Sequence, residues 1–384
     1  MSRPLSGVRV IEMAGLGAAP YTGMLLSDMG ADVVRIDRPR TRAPKAELYA
    51  LSRGRRSVTL DLKRAEGLDV LLRMVERADI LLEGFRPGVA ERLGFGPAAC
   101  QERNTRLVFG RMTGWGQTGP RAQTAGHDLN YQALSGALSL FRRPGERPVT
   151  PPGLVADFAG GGLLLAFGLV SALWESRASG RGQVVDAAMV DGTASLTTLV
   201  HSMAAQGRWS EEPGVNTSDG SAPFYDTYEA RDGGYLAVAP LEPAFYAALV
   251  DGLGLRLDEL PDRSDPANWP ELKRRFAEVF RSRTRDEWAE HFADTDACVT
   301  PVLAPSEAAG HPHNTARETF VRNFGVTQPA PVPRFDRTPT GIAGPPPLPG
   351  QHSREALSDW GFAESEVADL VKNGVVEQLP ERTA

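Results

Sequence analysis

The chain has 384 residues, of which 41% are hydrophobic and 23% charged, and its formal net charge is −6. This composition is typical of a soluble globular protein, and the length suggests two domains. The acidic balance argues against a nucleic-acid-binding protein. Cys100 and Cys298 lie far apart without neighbouring histidine or cysteine, so neither a disulfide framework nor a zinc site is expected.

The first residues lack the apolar core of a signal peptide, and residues 381–384 form no peroxisomal or retention signal, so a cytoplasmic protein is expected. Residues 158–174 carry no charge, but this stretch is short for a membrane span and contains three consecutive glycines. We therefore expect a buried core helix and no membrane insertion.

The first half of the chain alternates strand and helix patterns. Residues 8–14 form an apolar run typical of a strand buried on both faces, residues 21–29 have a helical pattern that ends at Gly30, and residues 32–37 predict a second strand. The alternation continues with a helix over 67–77 and strands over 79–83, 106–112 and 182–190. This order predicts an α/β domain with a parallel sheet.

The turn Gly15-Leu16-Gly17, with Asp37 about twenty residues further on, invites a comparison with the dinucleotide-binding fingerprint. Pro20 stands where the third glycine of that fingerprint is needed for close helix–strand packing. NAD binding is therefore a weak alternative, although a Rossmann-like half remains the prediction.

The second half predicts a smaller α+β domain followed by a return segment. Residues 225–238 alternate around Asp232-Gly233-Gly234, which predicts a β-hairpin, and helical patterns follow over 243–253, 270–281 and 285–292. Prolines crowd residues 329–349, which excludes regular helix or central strand. The predicted limits are 1–200 for the large domain, 201–222 for a linker, 223–320 for the small domain, and 321–384 for the proline-rich linker and C-terminal helices.

The most informative segment is Ala125-Gly126-His127-Asp128-Leu129, which places an imidazole beside a carboxylate after a Gly/Pro loop. The apolar run 134–141 follows and is interpreted as a helix. A titratable pair at a loop-to-helix junction suits acid–base or covalent chemistry, because a helix N-terminus offers free N–H groups to a forming anion. For an isolated Gly-His-Asp, the preferred explanation would be that Asp128 caps a helix and His127 is an ordinary loop residue.

The motifs, in their order and spacing, resemble the class III CoA-transferase family, and most closely its α-methylacyl-CoA racemase branch. The segments that carry the resemblance are Pro4-Leu5-Ser6-Gly7-Val8-Arg9-Val10-Ile11-Glu12, Gly30-Ala31-Asp32-Val33-Val34-Arg35-Ile36-Asp37-Arg38-Pro39, Glu83-Gly84-Phe85-Arg86-Pro87-Gly88, Met112-Thr113-Gly114-Trp115-Gly116-Gln117, Gly126-His127-Asp128, Gly182-Gln183-Val184-Val185-Asp186 and Ala297-Cys298-Val299-Thr300-Pro301-Val302. The resemblance implies a Rossmann-like large domain, a small domain, a C-terminal return to the large domain, and an interlocked homodimer.

The resemblance also implies a racemase of 2-methylacyl-CoA thioesters, which removes an α-proton and returns one to the opposite face through an enolate. Such a reaction needs a base on each side of the carbon and donors for the enolate oxygen. His127 is the candidate base on one face and Asp157 on the other, and Glu242 matches the glutamate that orients the histidine in the racemases. No metal or redox cofactor is implied, since CoA is part of the substrate.

Two alternatives remain open at this point. In the family's transferases the aspartate at the position of Asp128 is the nucleophile that forms covalent carboxyl intermediates, so a CoA-transferase is the main competitor. In a racemase, Asp128 is expected to lend its backbone N–H to the enolate oxygen. A non-catalytic acyl-CoA-binding paralogue ranks last, because all three acid–base residues are present. The structural explanations are that Asp157 caps the following helix and that Glu242, beside Pro243, is a glutamate of a first helical turn.

Binding CoA requires local cations on an acidic protein. Arg38, Arg86 and Arg92 match basic CoA contacts of the family, and the arginine fork suits phosphate. A short basic loop at Arg53, Arg55 and Arg56 is a further cationic candidate, with solvated surface arginines as an equal explanation for the first two. Met112 and Tyr131 are candidate contacts of the acyl-CoA, although methionines usually fill cores.

Overall fold

The computed structural model of the protein describes residues 2–41 and 45–379. The expectation about residues 381–384 therefore lies outside the described residues. By its internal contacts the chain divides into two compact units. The first contains Met1–Ser135, Pro151–Leu196 and Thr315–Ala384, and the second contains Gly136–Thr150 and Thr197–Asn314. Residues 136–150, placed in the large domain from sequence, thus group with the second unit.

The strands of the described chain are β1 (Arg9–Met13), β2 (Asp32–Asp37), β3 (Arg56–Thr59), β4 (Ile80–Glu83), β5 (Val108–Thr113), β6 (Val184–Ala188), β7 (Asp226–Glu229), β8 (Tyr235–Val238), β9 (Val299–Pro301), β10 (Phe320–Asn323) and β11 (Val326–Pro329).

The α-helices are α1 (Ala18–Asp28), α2 (Ala65–Val75), α3 (Val89–Arg92), α4 (Pro97–Arg103), α5 (Asp128–Leu134), α6 (Leu164–Ser179), α7 (Met189–Leu196), α8 (Thr198–Ala205), α9 (Pro243–Gly252), α10 (Trp269–Phe280), α11 (Arg285–Phe292), α12 (Pro305–Ala308), α13 (Pro312–Ala316), α14 (Ser353–Asp359) and α15 (Glu364–Lys372). A π-helical segment, Leu154–Leu163, runs directly into α6, and short 3₁₀ helices occupy Ala46–Leu48, Ala50–Ser52, Ala137–Leu140, Leu257–Glu259 and Pro266–Asn268.

The first unit is built on a six-stranded sheet in the order β3-β2-β1-β4-β5-β6, and every neighbouring pair in it is parallel. Successive residues of each strand face opposite sides, so Val10 joins the core with α1 and α6 while Ile11 joins the core with α2, α14 and α15. The predicted α/β class with a parallel sheet is confirmed.

The proline-rich segment contains neither helix nor strand between residue 330 and residue 352, as its composition predicts. It lies along the first unit, where Gly344 accepts a hydrogen bond from the backbone N–H of Gly54 at 2.8 Å. The helices that follow it pack into the same unit through Leu357, Trp360 and Val367. Helices α14 and α15 therefore belong to the unit that contains the six-stranded sheet.

The second unit contains the predicted hairpin, formed by β7 and β8, and β9 adds a third antiparallel strand to it. Its core holds stacked and edge-on aromatic rings, among them Tyr228, Phe280 and Trp288. Helix α11 begins at the Thr284 cap, whose hydroxyl accepts the N–H of Glu287 at 3.2 Å. The three helices predicted after the hairpin are confirmed as α9, α10 and α11.

The prediction of an exposed basic loop at residues 53–56 is wrong. Arg53 and Arg55 are 2% and 3% exposed. Arg53 pairs with Asp28 at 2.6 Å and Arg55 with Glu12 at 2.8 Å, so both guanidinium charges are compensated inside the protein. Arg56 begins β3, a strand that the run of charged residues conceals in the sequence. None of these groups forms the exposed basic loop that the sequence suggested.

The apolar stretch 158–174 is only partly the buried core helix that was expected. Leu165, Leu169 and Leu173 of α6 are buried against the sheet, but Leu163, Phe167, Val170 and Trp174 are 53%, 71%, 42% and 79% exposed. Among the described helices, the continuous helix Leu154–Ser179 is the one that is long and apolar enough to cross a membrane, judged by length and composition alone. One of its faces packs on protein and the other presents an apolar surface.

Candidate active site

The candidate residues of the first unit follow the carboxyl ends of parallel strands. The turn Gly15-Leu16-Gly17 follows β1, Arg38 follows β2, Arg86 follows β4, and the loop that leads to His127 follows β5. These ends meet at one edge of the sheet, and β1 and β4 are the neighbours at which the strand order reverses. In open α/β sheets this switch point is where ligands bind.

His127 is the cap residue of α5, which confirms the predicted loop-to-helix junction. Its backbone is extended, at φ −135° and ψ 172°, and its N–H donates to the Asn130 side-chain oxygen at 3.0 Å. The imidazole is exposed. The apolar run 134–141 is not the helix that was expected, because Gly136, at φ 86°, ends α5 and leaves only the short 3₁₀ helix Ala137–Leu140.

Tyr131 locks the turn before His127. Its hydroxyl donates to the carbonyl of Gly126, and its ring meets Trp115 edge-on with the centroids 4.8 Å apart. A Cβ on Gly114 would come within 2.1 Å of this ring and one on Gly126 within 2.8 Å, which explains both motif glycines. Tyr131 is 6% exposed and its hydroxyl is engaged internally, so its predicted contact with acyl-CoA finds no support in its placement.

Asp128 faces inward and is only 8% exposed. Its Oδ1 accepts the backbone N–H groups of Ala156 and Asp157, each at 2.8 Å. Its Oδ2 accepts from the amide of the fully buried Gln132. Asp128 therefore does cap a helix, but the helix is the following π-helical segment and not its own.

Asp157 lies half-buried in the first turn of the π-helical segment. Burial raises the pKa of its carboxyl above the ordinary range, the neighbouring Asp128 charge raises this pKa further, and His127 opposes the shift. A Cβ on Gly17 would lie 3.4 Å from the Asp157 Oδ2, so the glycine turn after β1 borders this carboxylate. The structure thus brings His127, Asp128 and Asp157 together at the switch-point edge.

Glu242 belongs to the second unit and is the cap residue of α9, with Pro243 in the first helical position. Its side chain is exposed and makes no capping hydrogen bond, so helix capping does not account for the carboxylate. Its charge helps to raise the pKa of the Cys298 thiol, after burial of that thiol. Pairing of Glu242 with His127 stays a prediction.

A cleft of about 1060 Å³ opens at the same edge of the first unit. Arg38 lines it, as do Arg35, which pairs with Asp37, and four further cations that the sequence reasoning missed: Arg40, Lys45, Lys63 and Arg64. The sequence could have indicated these four residues, because two follow the end of β2 and two follow the end of β3, where α/β sheets bind ligands. Arg86 and Arg92 are exposed beside Phe85 and Leu93, which line the cleft. These positive charges suit a polyanionic ligand.

Met112 does not line the cleft. It is 3% exposed and packs with Val108 and Leu165 in the sheet core, which corrects its assignment as an acyl-CoA contact. Asp37, the residue that a dinucleotide would need, is committed to Arg35 and to the Ser57 hydroxyl at 2.8 and 2.6 Å. Among the described residues, no group of three or more His, Cys, Asp and Glu side chains is arranged to hold a metal.

The fold and this edge of the sheet define a member of CoA-transferase family III, to which the chain belongs: the family model matches residues 5–353. The chain is 47% identical to the alpha-methylacyl-CoA racemase of Mus musculus over 375 residues, which is 97% of each chain. It is 44% identical to the alpha-methylacyl-CoA racemase of Homo sapiens over the same share. A solved CAIB/BAIF family protein from Brucella suis matches with a TM-score of 0.81 and 25% identity, over 94% of this chain and 100% of that one. The family resemblance is confirmed.

Proposed function

We propose that the protein is a racemase of 2-methylacyl-CoA thioesters. The observation that carries the proposal is the pairing of a half-buried carboxyl with raised pKa, Asp157, and an exposed imidazole, His127, at one edge of the sheet. A carboxylate made more basic by burial and an exposed imidazole can each accept and return a weakly acidic α-proton. The racemase names of the Mus musculus and Homo sapiens relatives support the same activity.

In the proposed reaction one base removes the α-proton, and the electrons of the C–H bond form the enolate of the thioester. The conjugate acid on the other side then returns a proton to the opposite face of the carbon. The backbone N–H of Asp128, in the first turn of α5, is the proposed donor to the enolate oxygen, since first-turn N–H groups lack intrahelical partners. His127 and Asp157 exchange base and acid roles with the direction of reaction.

The competing transferase reaction would require Asp128 to attack an acyl-CoA. Both of its oxygens already accept hydrogen bonds, from two backbone N–H groups and one side-chain amide, and the group is 8% exposed. A carboxylate held in this way is a poor nucleophile, because attack would break the hydrogen bonds that stabilise its charge. The geometry therefore favours the racemase.

Substrate binding is proposed to use the cleft, which is lined by Gly15 and Leu16 of the glycine turn that borders Asp157. Arg38 lines it and Arg86 and Arg92 lie next to it, so these three remain the proposed contacts of the CoA phosphates. Glu242 is proposed to orient His127. No cofactor is proposed, because proton removal and return need none, and the cytoplasm remains the proposed compartment.

An interlocked homodimer is also proposed. The apolar residues on the outer face of Leu163–Trp174 recur at intervals of four, three and four residues, which places them on one stripe of the helix. A second copy of the chain is the proposed cover for this stripe, because the opposite face of the same helix is already packed on the sheet of a globular unit.

Proton NMR of a single-enantiomer 2-methylacyl-CoA in deuterated water, without an acceptor acid, tests the function. We expect the α-proton signal to disappear, the methyl doublet to collapse, and the other enantiomer to form. Absence of exchange, with CoA passing to an added carboxylic acid, would instead establish the transferase.

A further inference from the structure

We propose that Gln132 and the side chain of Asp128 are positioning residues for the Asp157 base, an inference that rests on the proposed racemase function. Asp157 lies in the first turn of the π-helical segment, whose first N–H groups have no partners within the segment. The Asp128 carboxylate binds two of them, at Ala156 and at Asp157 itself. The catalytic backbone is thus held by a side chain from α5.

Gln132 holds that side chain in turn. It lies one helical turn after Asp128, is fully buried, and donates its amide to Asp128 Oδ2. Its own Oε1 is buried and has no hydrogen-bond partner. Burying an amide whose oxygen lacks a hydrogen-bond partner costs free energy of folding. In this chain the nitrogen of the same amide donates to the carboxylate that anchors Asp157.

The second effect of Asp128 is electrostatic. The charged groups that act on the Asp157 carboxyl are Asp128, which raises its pKa, and His127, which lowers it; both lie on or next to α5. Burial raises the pKa of Tyr131, which lies on α5. The Asp157 charge raises this pKa further, and Arg86 lowers it. From the turn before α1, the neighbour is the uncharged Gly17. Asp128 therefore positions the base and also keeps it basic.

Asp128→Asn separates these two effects. The asparagine oxygen can still accept the two backbone N–H groups, and its new N–H₂ can donate to the Gln132 Oε1 once the Gln132 amide rotates, so the anchor survives without the charge. We expect the acid limb of the kcat/KM profile for exchange to move to lower pH, because a less raised Asp157 stays ionised further into acid. The plateau rate should fall by no more than about tenfold.

Gln132→Leu removes the donor to Asp128 Oδ2 at nearly constant volume. We expect kcat for exchange to fall while KM for the acyl-CoA is unchanged, because the cleft cations are untouched. The matched control is Gln328→Leu, another buried glutamine whose hydrogen-bond partner is the guanidinium of Arg53. The control should lower the melting temperature comparably without changing kcat or the pH profile.

Titration of Asp157 by carboxyl ¹³C NMR, in the wild type and in Asp128→Asn, gives a readout that needs no turnover. A lower Asp157 pKa in the variant supports the inference, and an unchanged Asp157 pKa with an unchanged acid limb overturns it. Equal effects of Gln132→Leu and Gln328→Leu on kcat would also overturn it. A wild type that exchanges no α-proton contradicts the proposed function instead, and the titration then still decides the positioning role.

Discussion

His127 and Asp157 differ in environment although both are proposed bases. The imidazole is exposed, on a residue whose backbone N–H donates to Asn130, whereas the carboxyl is half-buried beside Gly17 and a second carboxylate. This asymmetry implies that each enantiomer loses its proton to a chemically different base.

His127→Ala should abolish exchange on at least one face of the substrate and leave CoA affinity nearly intact, because the imidazole is not among the cleft cations. Deuterium incorporation from each pure enantiomer, together with calorimetric titration of CoA, measures both effects. His313→Ala, at an exposed histidine of α13, is the control and should behave as the wild type. Undiminished turnover in His127→Ala would remove this residue from the mechanism.

The sequence was sufficient to place the residues whose position depends only on neighbouring segments of the chain. His127 stands at a junction that the Gly/Pro loop predicts, and the strand-to-loop positions of Arg38 and Arg86 follow from the alternation of elements. It was not sufficient for Arg53, Arg55 or Gln132, because their burial depends on partners elsewhere in the fold: Asp28 and Glu12 for the arginines, and the 154–163 segment, through Asp128, for the glutamine.

At the scale of elements, the triple glycine 160–162 decides how the π-helical segment packs. A Cβ on Gly162 would lie 2.8 Å from the Ala18 carbonyl oxygen of α1. On the α7 side, a Cβ on Gly192 would lie 1.7 Å from the Gly160 carbonyl oxygen. These contacts involve backbone atoms, which cannot rotate away. The glycines therefore bring three helices together around the turn that carries Asp157.

Gly192→Ala should consequently lower the free energy of unfolding by about 1–3 kcal/mol, the usual range for overpacking a core. Chemical denaturation followed by circular dichroism measures the change. Gly344→Ala is the matched control, since no atom lies within 4 Å of the added methyl group and its φ is not in the left-handed region; we expect it to be neutral. Equal stability of the two variants would contradict this account of the packing.

The helical nature of residues 158–174 was readable from the sequence, but the limits of α6 and its exposure were not. A run without charges predicts burial, and nothing in the run itself distinguishes burial within one chain from burial against a second one. The apolar content after α5 also failed to predict a helix limit, because Gly136 and not that content sets the end of the helix. Apolar content located these elements, while glycine conformation and tertiary contacts set their limits.

At the scale of the whole molecule, the outer stripe of Leu163, Phe167, Val170 and Trp174 is the observation behind the proposed dimer. Large, contiguous apolar surfaces on soluble proteins mark interaction sites. The inner face of the same helix packs through Leu165 and Leu169 on the core that also contains Val108 of β5. If this helix crossed a bilayer, the globular unit packed on its inner face would have to enter the hydrocarbon layer with it. We therefore propose a protein partner for the stripe.

Trp174→Arg should therefore weaken the proposed dimer, because a charged side chain replaces the most exposed member of the stripe, 79% exposed, where a second copy would cover it. Light scattering after size-exclusion chromatography measures the mass, and we expect a dimer for the wild type and a larger monomer fraction for the variant. Glu102→Arg, an exposed charge change on α4, should leave the mass unchanged. A monomeric wild type would refute the dimer. Binding of that monomer to lipid vesicles, lost in Trp174→Arg, would show that the stripe meets a membrane instead.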